Sequence, residues 1–318
     1  TYPNPKAGNQ LAGTLTLPEG KGPFPAVLLI TGSGAQDRDQ TIFGHKSFLL
    51  IADHLTRRGI AVLRVDDRGI GGSTGDPNGT SLDFATDVEA GLAFLKAHPA
   101  VRKGQIGLLG HSEGGLIAPI VAARHPEDVA FLVLLAAQAT TGGEAVMDQV
   151  RIYTEAHGEG KAAVDRKLAL QRKVYEVLRQ HDPQAAVQPL RALLADQFGQ
   201  SPEGKQQLEA QIQAVNSPWF RTFVELDPRP YLAKIEVPVL ALNGSKDTQV
   251  LAKKHLPGLK AALHESPSVK TYELPGLNHL FQPAKTGLPS EYGQIETTFD
   301  PEALELIGDW VEARTSRK

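Results

Sequence analysis

The sequence predicts an α/β protein: a mainly parallel sheet with helices on both faces, interrupted by an inserted helical segment. Three observations predict it. Short apolar runs alternate with stretches of helical spacing, the rhythm that builds parallel sheets covered on both sides. Runs such as 26–30 and 130–137 are apolar without alternation, as in strands buried on both faces. One long stretch, residues 140–230, breaks the rhythm and contains no convincing strand.

In chain order, residues 11–17 alternate and read as an edge strand, and 26–30 is a buried strand behind Pro25. Residues 48–55 have helical spacing, with Gly59 where a C-cap belongs, and 60–65 is the next buried strand. Residues 82–95 are helical, with Val88, Leu92 and Leu95 on one face and Ser81 as N-cap. A strand at 106–109, a helix at 116–123 and a strand at 129–137 follow. After the interruption come strands at 237–242 and 269–274 and a closing helix at 301–314. Within the interruption, Val164, Leu168, Tyr175 and Leu178 share a helix face, as do Leu190, Leu194 and Phe198. The strand pattern resumes afterwards and needs the earlier strands as partners. The predicted organisation is therefore a core of residues 1–139 and 231–318 carrying a helical cap at 140–230, with a separate helical domain as the alternative.

The 318 residues are 41% hydrophobic and 22% charged, ordinary for a globular chain with a full core. A net charge of -3, with 33 basic and 36 acidic residues and no basic run, argues against nucleic acid as a partner. The longest apolar run, 129–137, is far short of the roughly 20 residues that span a bilayer. With no cysteine, disulfides, thiolate metal sites and a cysteine nucleophile are excluded. The chain opens at Thr1 without methionine, which reads as a trimmed or processed start.

Two pentapeptides fit G-x-S-x-G, at 110–114 and 71–75, so context must decide between them. The chemistry needs serine on a sharp strand-to-helix turn, with small residues two positions to either side. Ser112 follows the strand at 106–109 directly and precedes a helix, whose N-terminus favours negative charge. Ser73 is followed by the loop residues Asp76, Pro77, Asn78 and Gly79 and reads as part of a glycine-rich surface loop. Of the residues beside Ser112, His111 reads as part of the turn and not as a second base; at Glu113 the backbone N–H matters most.

A serine hydroxyl needs a base, usually a histidine oriented by a carboxylate. His255 and His264 fall in a Lys-rich helical stretch and read as solvated. His279 follows a strand and the turn 275–278, at the sheet edge where ligands bind. Asp247 lies just beyond the strand at 237–242 and reaches the same edge, so His279 is the candidate base and Asp247 the candidate acid. Asp148, Asp165, Asp182 and Asp196 lie in the presumed cap helices, and Asp227 at their exit. An oxyanion needs two backbone donors. One is the Glu113 N–H; the other comes from the loop Thr31-Gly32-Ser33-Gly34-Ala35, with Ser33 the choice and Gly34 the alternative.

These residues, with the runs ITGSGAQDRD (30–39), DDRG (66–69), SPWFR (217–221), NGSKD (243–247) and GLNH (276–279), resemble bacterial α/β-hydrolases of the acyl esterase and serine aminopeptidase-like group. The resemblance runs from about residue 11 to 310. It implies the α/β-hydrolase fold, a Ser112–Asp247–His279 triad, a helical cap and cleavage of acyl esters without a metal or organic cofactor. Thr31 departs from the histidine that often precedes the oxyanion glycine in relatives. Many relatives look exported, so the resemblance implies a periplasmic or secreted protein over a cytoplasmic one.

The expected partner is a small-molecule ester. Trp219, Phe220 and Phe223 read either as the lining of an acyl pocket or as packing between cap and core. Arg221 reads as a salt bridge to a nearby acid before a contact to a substrate carboxylate. The same triad serves a peptidase or amidase, which should add an acidic cluster in the cap; a ligand-binding pseudo-hydrolase is the non-enzymatic alternative. An epoxide- or haloalkane-cleaving relative would carry aspartate in place of Ser112.

Overall fold

The computed structural model describes residues 1–316. The chain forms two compact units, one of Thr1–Pro77, Leu82–Thr140 and the chain from Pro228 onward, the other of Thr141–Asp227 with the short segment Asn78–Ser81.

The first unit opens with β1 (Tyr2–Asn4) antiparallel to β2 (Asn9–Leu11), then β3 (Gly13–Thr16) and β4 (Phe24–Ile30). A single strand over 11–17 is thus corrected to two short ones. They break at Ala12, whose N–H donates to Ser73 Oγ at 2.9 Å and whose carbonyl accepts the Asp66 N–H at 2.9 Å. The small hairpin β5 (Thr41–Ile42) and β6 (His45–Lys46) follows, with α1 (Ser47–Arg57), β7 (Ala61–Val65), α2 (Ser81–Ala97), β8 (Val101–His111), α3 (Glu113–Arg124) and β9 (Phe131–Leu135).

The second unit is all helical: α4 (Gly142–Ala156), α5 (Lys161–Gln180), α6 (Pro183–Leu194), α7 (Pro202–Val215) and α8 (Pro218–Glu225). Four of its five helix starts are written in the sequence. Thr141 and Glu144 form a reciprocal capping box, and Asp182, Ser201 and Ser217 each cap a helix that begins with proline. Val174, Leu178, Leu190, Leu194 and Ile212 fill its own apolar core.

The chain then returns to the first unit with α9 (Arg229–Leu232), β10 (Val239–Gly244), α10 (Ala252–Ala262), β11 (Val269–Leu274), a 3-10 turn over Pro289–Gln294 and α11 (Pro301–Thr315). Seven strands form one sheet in the order β11-β10-β9-β8-β4-β7-β3, parallel except for β3 at the edge. On one face, α1 presents Phe48, Ile51 and Leu55 at helical spacing, joined by Leu109, Val133 and Leu242 of the sheet and by Ile307 and Val311 of α11. Each such side chain contributes about 1.5–3 kcal/mol by leaving water, so Leu55→Ala would cost about 2–5 kcal/mol. Helix α3 is buried from Glu113 to Ala122, which is why it is apolar all round and not amphipathic. The register sets Ile30 beside Gly110 and His111 beside Leu135, so β4, β8 and β9 end at one edge and their loops meet there. Among the described residues no helix is long and apolar enough to cross a membrane.

Candidate active site

Ser112 sits between the last residue of β8 and the first of α3 with φ 55 and ψ -117, in a region that costs a side-chain-bearing residue strain. The glycines around it permit this turn. A Cβ at Gly110 would run into the Gly114 carbonyl, and one at Gly114 into the Ile30 carbonyl. Ser112 N–H donates to Leu135 O at 2.9 Å, which pins the turn to β9.

Asp247 and His279 meet at the same edge. His279 Nδ1 donates to Asp247 Oδ2 at 2.8 Å, and both side chains are almost fully buried. A ring protonated on Nδ1 carries its lone pair on Nε2. The acid is oriented in turn, since Asp247 Oδ1 accepts the N–H groups of Gln249 at 2.8 Å and Val250 at 2.9 Å. The loop carrying His279 is stapled by buried Asn278, whose Oδ1 accepts from the Leu280 and Gln282 N–H groups at 2.9 and 3.0 Å. Ser112, His279 and Ser33 line one cleft of ≈ 260 Å³.

In the loop after β4, Gly32 N–H donates to Gln40 Oε1 at 3.0 Å and is committed there. Ser33 is exposed and lines the cleft with Ser112, whereas Gly34 lines a neighbouring cavity. The buried Glu113 side chain lines that neighbouring cavity, and its backbone opens α3. Asp67 ties the loop at both ends, its carboxylate accepting from Thr31 Oγ1 at 2.7 Å and Gln36 N–H at 2.9 Å. Burial, with the neighbouring Glu113 and Asp87 carboxylates adding to it, pushes the Asp67 pKa up to about 7.

Two residues of the site escape sequence reading in their full role. Gln40 Nε2 donates to His111 Nδ1 at 3.1 Å and reaches Ser47 Oγ at 3.2 Å. His111 Nε2 donates to the His279 carbonyl at 2.9 Å. Burial first, then the nearby His279, pushes the His111 pKa down to about 3, so this ring is neutral and cannot serve as a charged partner. A linked set of bonds therefore runs from Gly32 through Gln40 and His111 to the backbone of His279. The Asp37 carboxylate builds the turn that presents Gln40, taking the Asp39 and Thr41 N–H groups at 3.0 Å each.

Three residues stand otherwise than the sequence predicts. Ser73 is buried, not on the surface; its hydroxyl donates to Asp66 O at 2.7 Å and holds β2 and β3 apart. His255 is fully buried, not solvated, and its Nδ1 accepts the Ala139 N–H at 3.0 Å. Arg221 forms no salt bridge among the described residues; it donates to Leu178 O at 2.8 Å, His181 O at 3.1 Å and Asn216 Oδ1 at 2.9 Å, closing the C-terminal end of α5. Within the helical unit, Trp219 and Phe223 stack with ring centres 5.1 Å apart, and Phe220 packs against that unit's apolar core.

The alpha/beta hydrolase fold family matches residues 25–286. Esterase EstD of Thermotoga maritima is 28% identical over 306 residues, covering 95% of this chain. This chain spans 66% of that esterase's length. Among solved structures, the alpha/beta hydrolase GrgF from Penicillium sp. sh18 is 17% identical with a TM-score of 0.60, covering 97% of this chain and 95% of its own. Est1E from Butyrivibrio proteoclasticus is 18% identical with a TM-score of 0.55, covering 96% and 94%. At these identities the two structures are similar in fold alone.

Proposed function

The chain belongs to the α/β hydrolase fold family, and on that premise we propose that it is a serine hydrolase of the carboxylesterase type. The observation that carries the proposal is the buried Asp247–His279 bond of 2.8 Å opening on the same cleft as the strained Ser112. The likeness to EstD over most of this chain supports an ester substrate.

In this reading Ser112 Oγ attacks the carbonyl carbon of the ester as its proton passes to His279 Nε2. Asp247 holds the ring in the right tautomer and stabilises the charge it acquires. The oxyanion is held by the N–H groups of Ser33 and Glu113, the first chosen over Gly34 because it faces the cleft. The tetrahedral species collapses, the C–O bond to the alcohol breaks, and His279 returns its proton to the departing oxygen. Water, deprotonated by His279, then attacks the acyl-enzyme and releases the acid. We assign the helical unit the part of a cap, with Trp219, Phe220 and Phe223 as its candidate substrate-binding residues.

The test is hydrolysis of p-nitrophenyl esters from acetate to laurate, with Ser112→Ala as control. Activity that disappears in the variant is the expected result. No ester hydrolysis by the wild type, with turnover of peptide amides instead, would move the assignment to a peptidase using the same three residues.

A further inference from the structure

Hairpin β5–β6 closes with Ile42 paired to His45, leaving Phe43 and Gly44 as a two-residue loop. Their φ values are 50 and 85, both positive, as in a type I′ turn. Gly44 suits that geometry. Phe43 does not: this position prefers asparagine, aspartate or glycine, and a bulky residue there is strained. The ring does not recover the cost by burial. At 66% exposed, Phe43 is the most exposed of the large apolar side chains among the described residues. A local rule broken without a folding gain points to function.

The ring's position says which function. Phe43 lines the cleft that holds Ser112 and His279, on a wall shared with Ile42, Leu280, Pro289 and Tyr292. It meets Tyr292 edge to face, with centroids 6.3 Å apart and planes at 78°. That wall is firmly built. His45 Nε2 donates to Tyr292 O at 3.2 Å while its Nδ1 accepts from Thr298 Oγ1 at 2.9 Å, fixing the hairpin on the 3-10 turn. Gln249 Nε2 donates to Tyr292 Oη at 3.0 Å, and the Gln249 N–H donates to Asp247. The aromatic wall and the candidate acid are therefore held by one residue.

We propose that the exposed ring of Phe43, backed by the buried Tyr292, forms an aromatic subsite that receives a planar apolar group of the ester. The proposal rests on Ser112 being the nucleophile of this cleft. A group carried on the acyl side and one carried on the alcohol side present the same chemistry to the wall, so the test separates them.

The experiment compares kcat/KM for methyl phenylacetate, phenyl acetate and methyl acetate by pH-stat, in the wild type, Phe43→Asn and Ser112→Ala. Asparagine favours the turn, so Phe43→Asn folds and its melting temperature is equal or higher. The expected result is a fall of about three- to tenfold in the ratio of an aromatic ester to methyl acetate, the size of one lost aromatic pair. A fall for methyl phenylacetate alone places the acyl group on the wall; a fall for phenyl acetate alone places the alcohol there. Unchanged ratios in a Ser112-dependent enzyme overturn the subsite. Hydrolysis that survives Ser112→Ala overturns both the subsite and the nucleophile assignment.

Discussion

His111 Nε2 donates to the backbone carbonyl of His279 at 2.9 Å, so the residue before the candidate nucleophile holds the loop of the candidate base. The other ring nitrogen accepts from Gln40, whose amide oxygen holds Gly32. Two buried side chains, Gln40 and His111, thus couple the loop of the candidate oxyanion donor to the loop of the candidate base.

Gln40→Leu should separate catalysis from binding. The leucine leaves Gly32 N–H and His111 Nδ1 without their partner, a loss of about 1–3 kcal/mol in stability. If Gln40 is a positioning residue, kcat falls about 10- to 100-fold, as for a misplaced oxyanion donor, while KM changes far less. Steady-state kinetics beside a thermal melt checks this; a lowered melting temperature with unchanged kcat would leave Gln40 merely structural.

Gly114→Ala should be severely destabilising. The added methyl meets the carbonyl of Ile30 across a close approach of α3 to β4, where neither backbone can give way. An overpacking cost of about 3 kcal/mol is expected. Gly158→Ala is the control at an open position, where the positive φ of 76 leaves only a conformational cost of about 1 kcal/mol. Urea unfolding of the two variants measures the difference.

Two buried groups give stability opposite pH dependences. The folded His111 pKa of about 3 lies below the ordinary histidine value of 6.5, so stability is lost as pH falls from the unfolded value towards 3. The folded Asp67 pKa of about 7 lies above the ordinary 3.8, so its contribution is full at low pH and is lost as pH rises from about 4 through 7. A tenfold difference in proton affinity between the folded and unfolded chain is worth about 1.4 kcal/mol. Asp67→Asn should flatten the decline between pH 5 and 8, read as melting temperature against pH; an unchanged slope would mean that Asp67 does not titrate there.

Most of the sheet was legible because buried parallel strands announce themselves as unbroken apolar runs, and Ser112, Asp247 and His279 stood out because each follows the end of a strand: a buried apolar one for Ser112 and Asp247, the partly exposed edge strand β11 for His279. The edge strand expected at 11–17 stands at the sheet edge only over Gly13–Thr16; the break at Ala12 depends on Ser73 and Asp66, far along the chain. The same holds for Gln40. Its partner His111 is 71 residues away and nothing local marks the pairing. His255 looked solvated because its neighbours are lysines, yet it lies on the inner face of α10 against Ala139. Phe43 was invisible because a positive φ cannot be read from a hairpin that has only two residues per strand.

Whether Ser112 is the nucleophile is tested most directly by labelling with a fluorophosphonate, followed by mass mapping of the adduct. One adduct is expected, on Ser112, formed quickly in the wild type, absent in Ser112→Ala and about 10³-fold or more slower in Asp247→Asn. An adduct on another serine, or ester hydrolysis persisting at a near-normal rate in Ser112→Ala, would contradict the assignment.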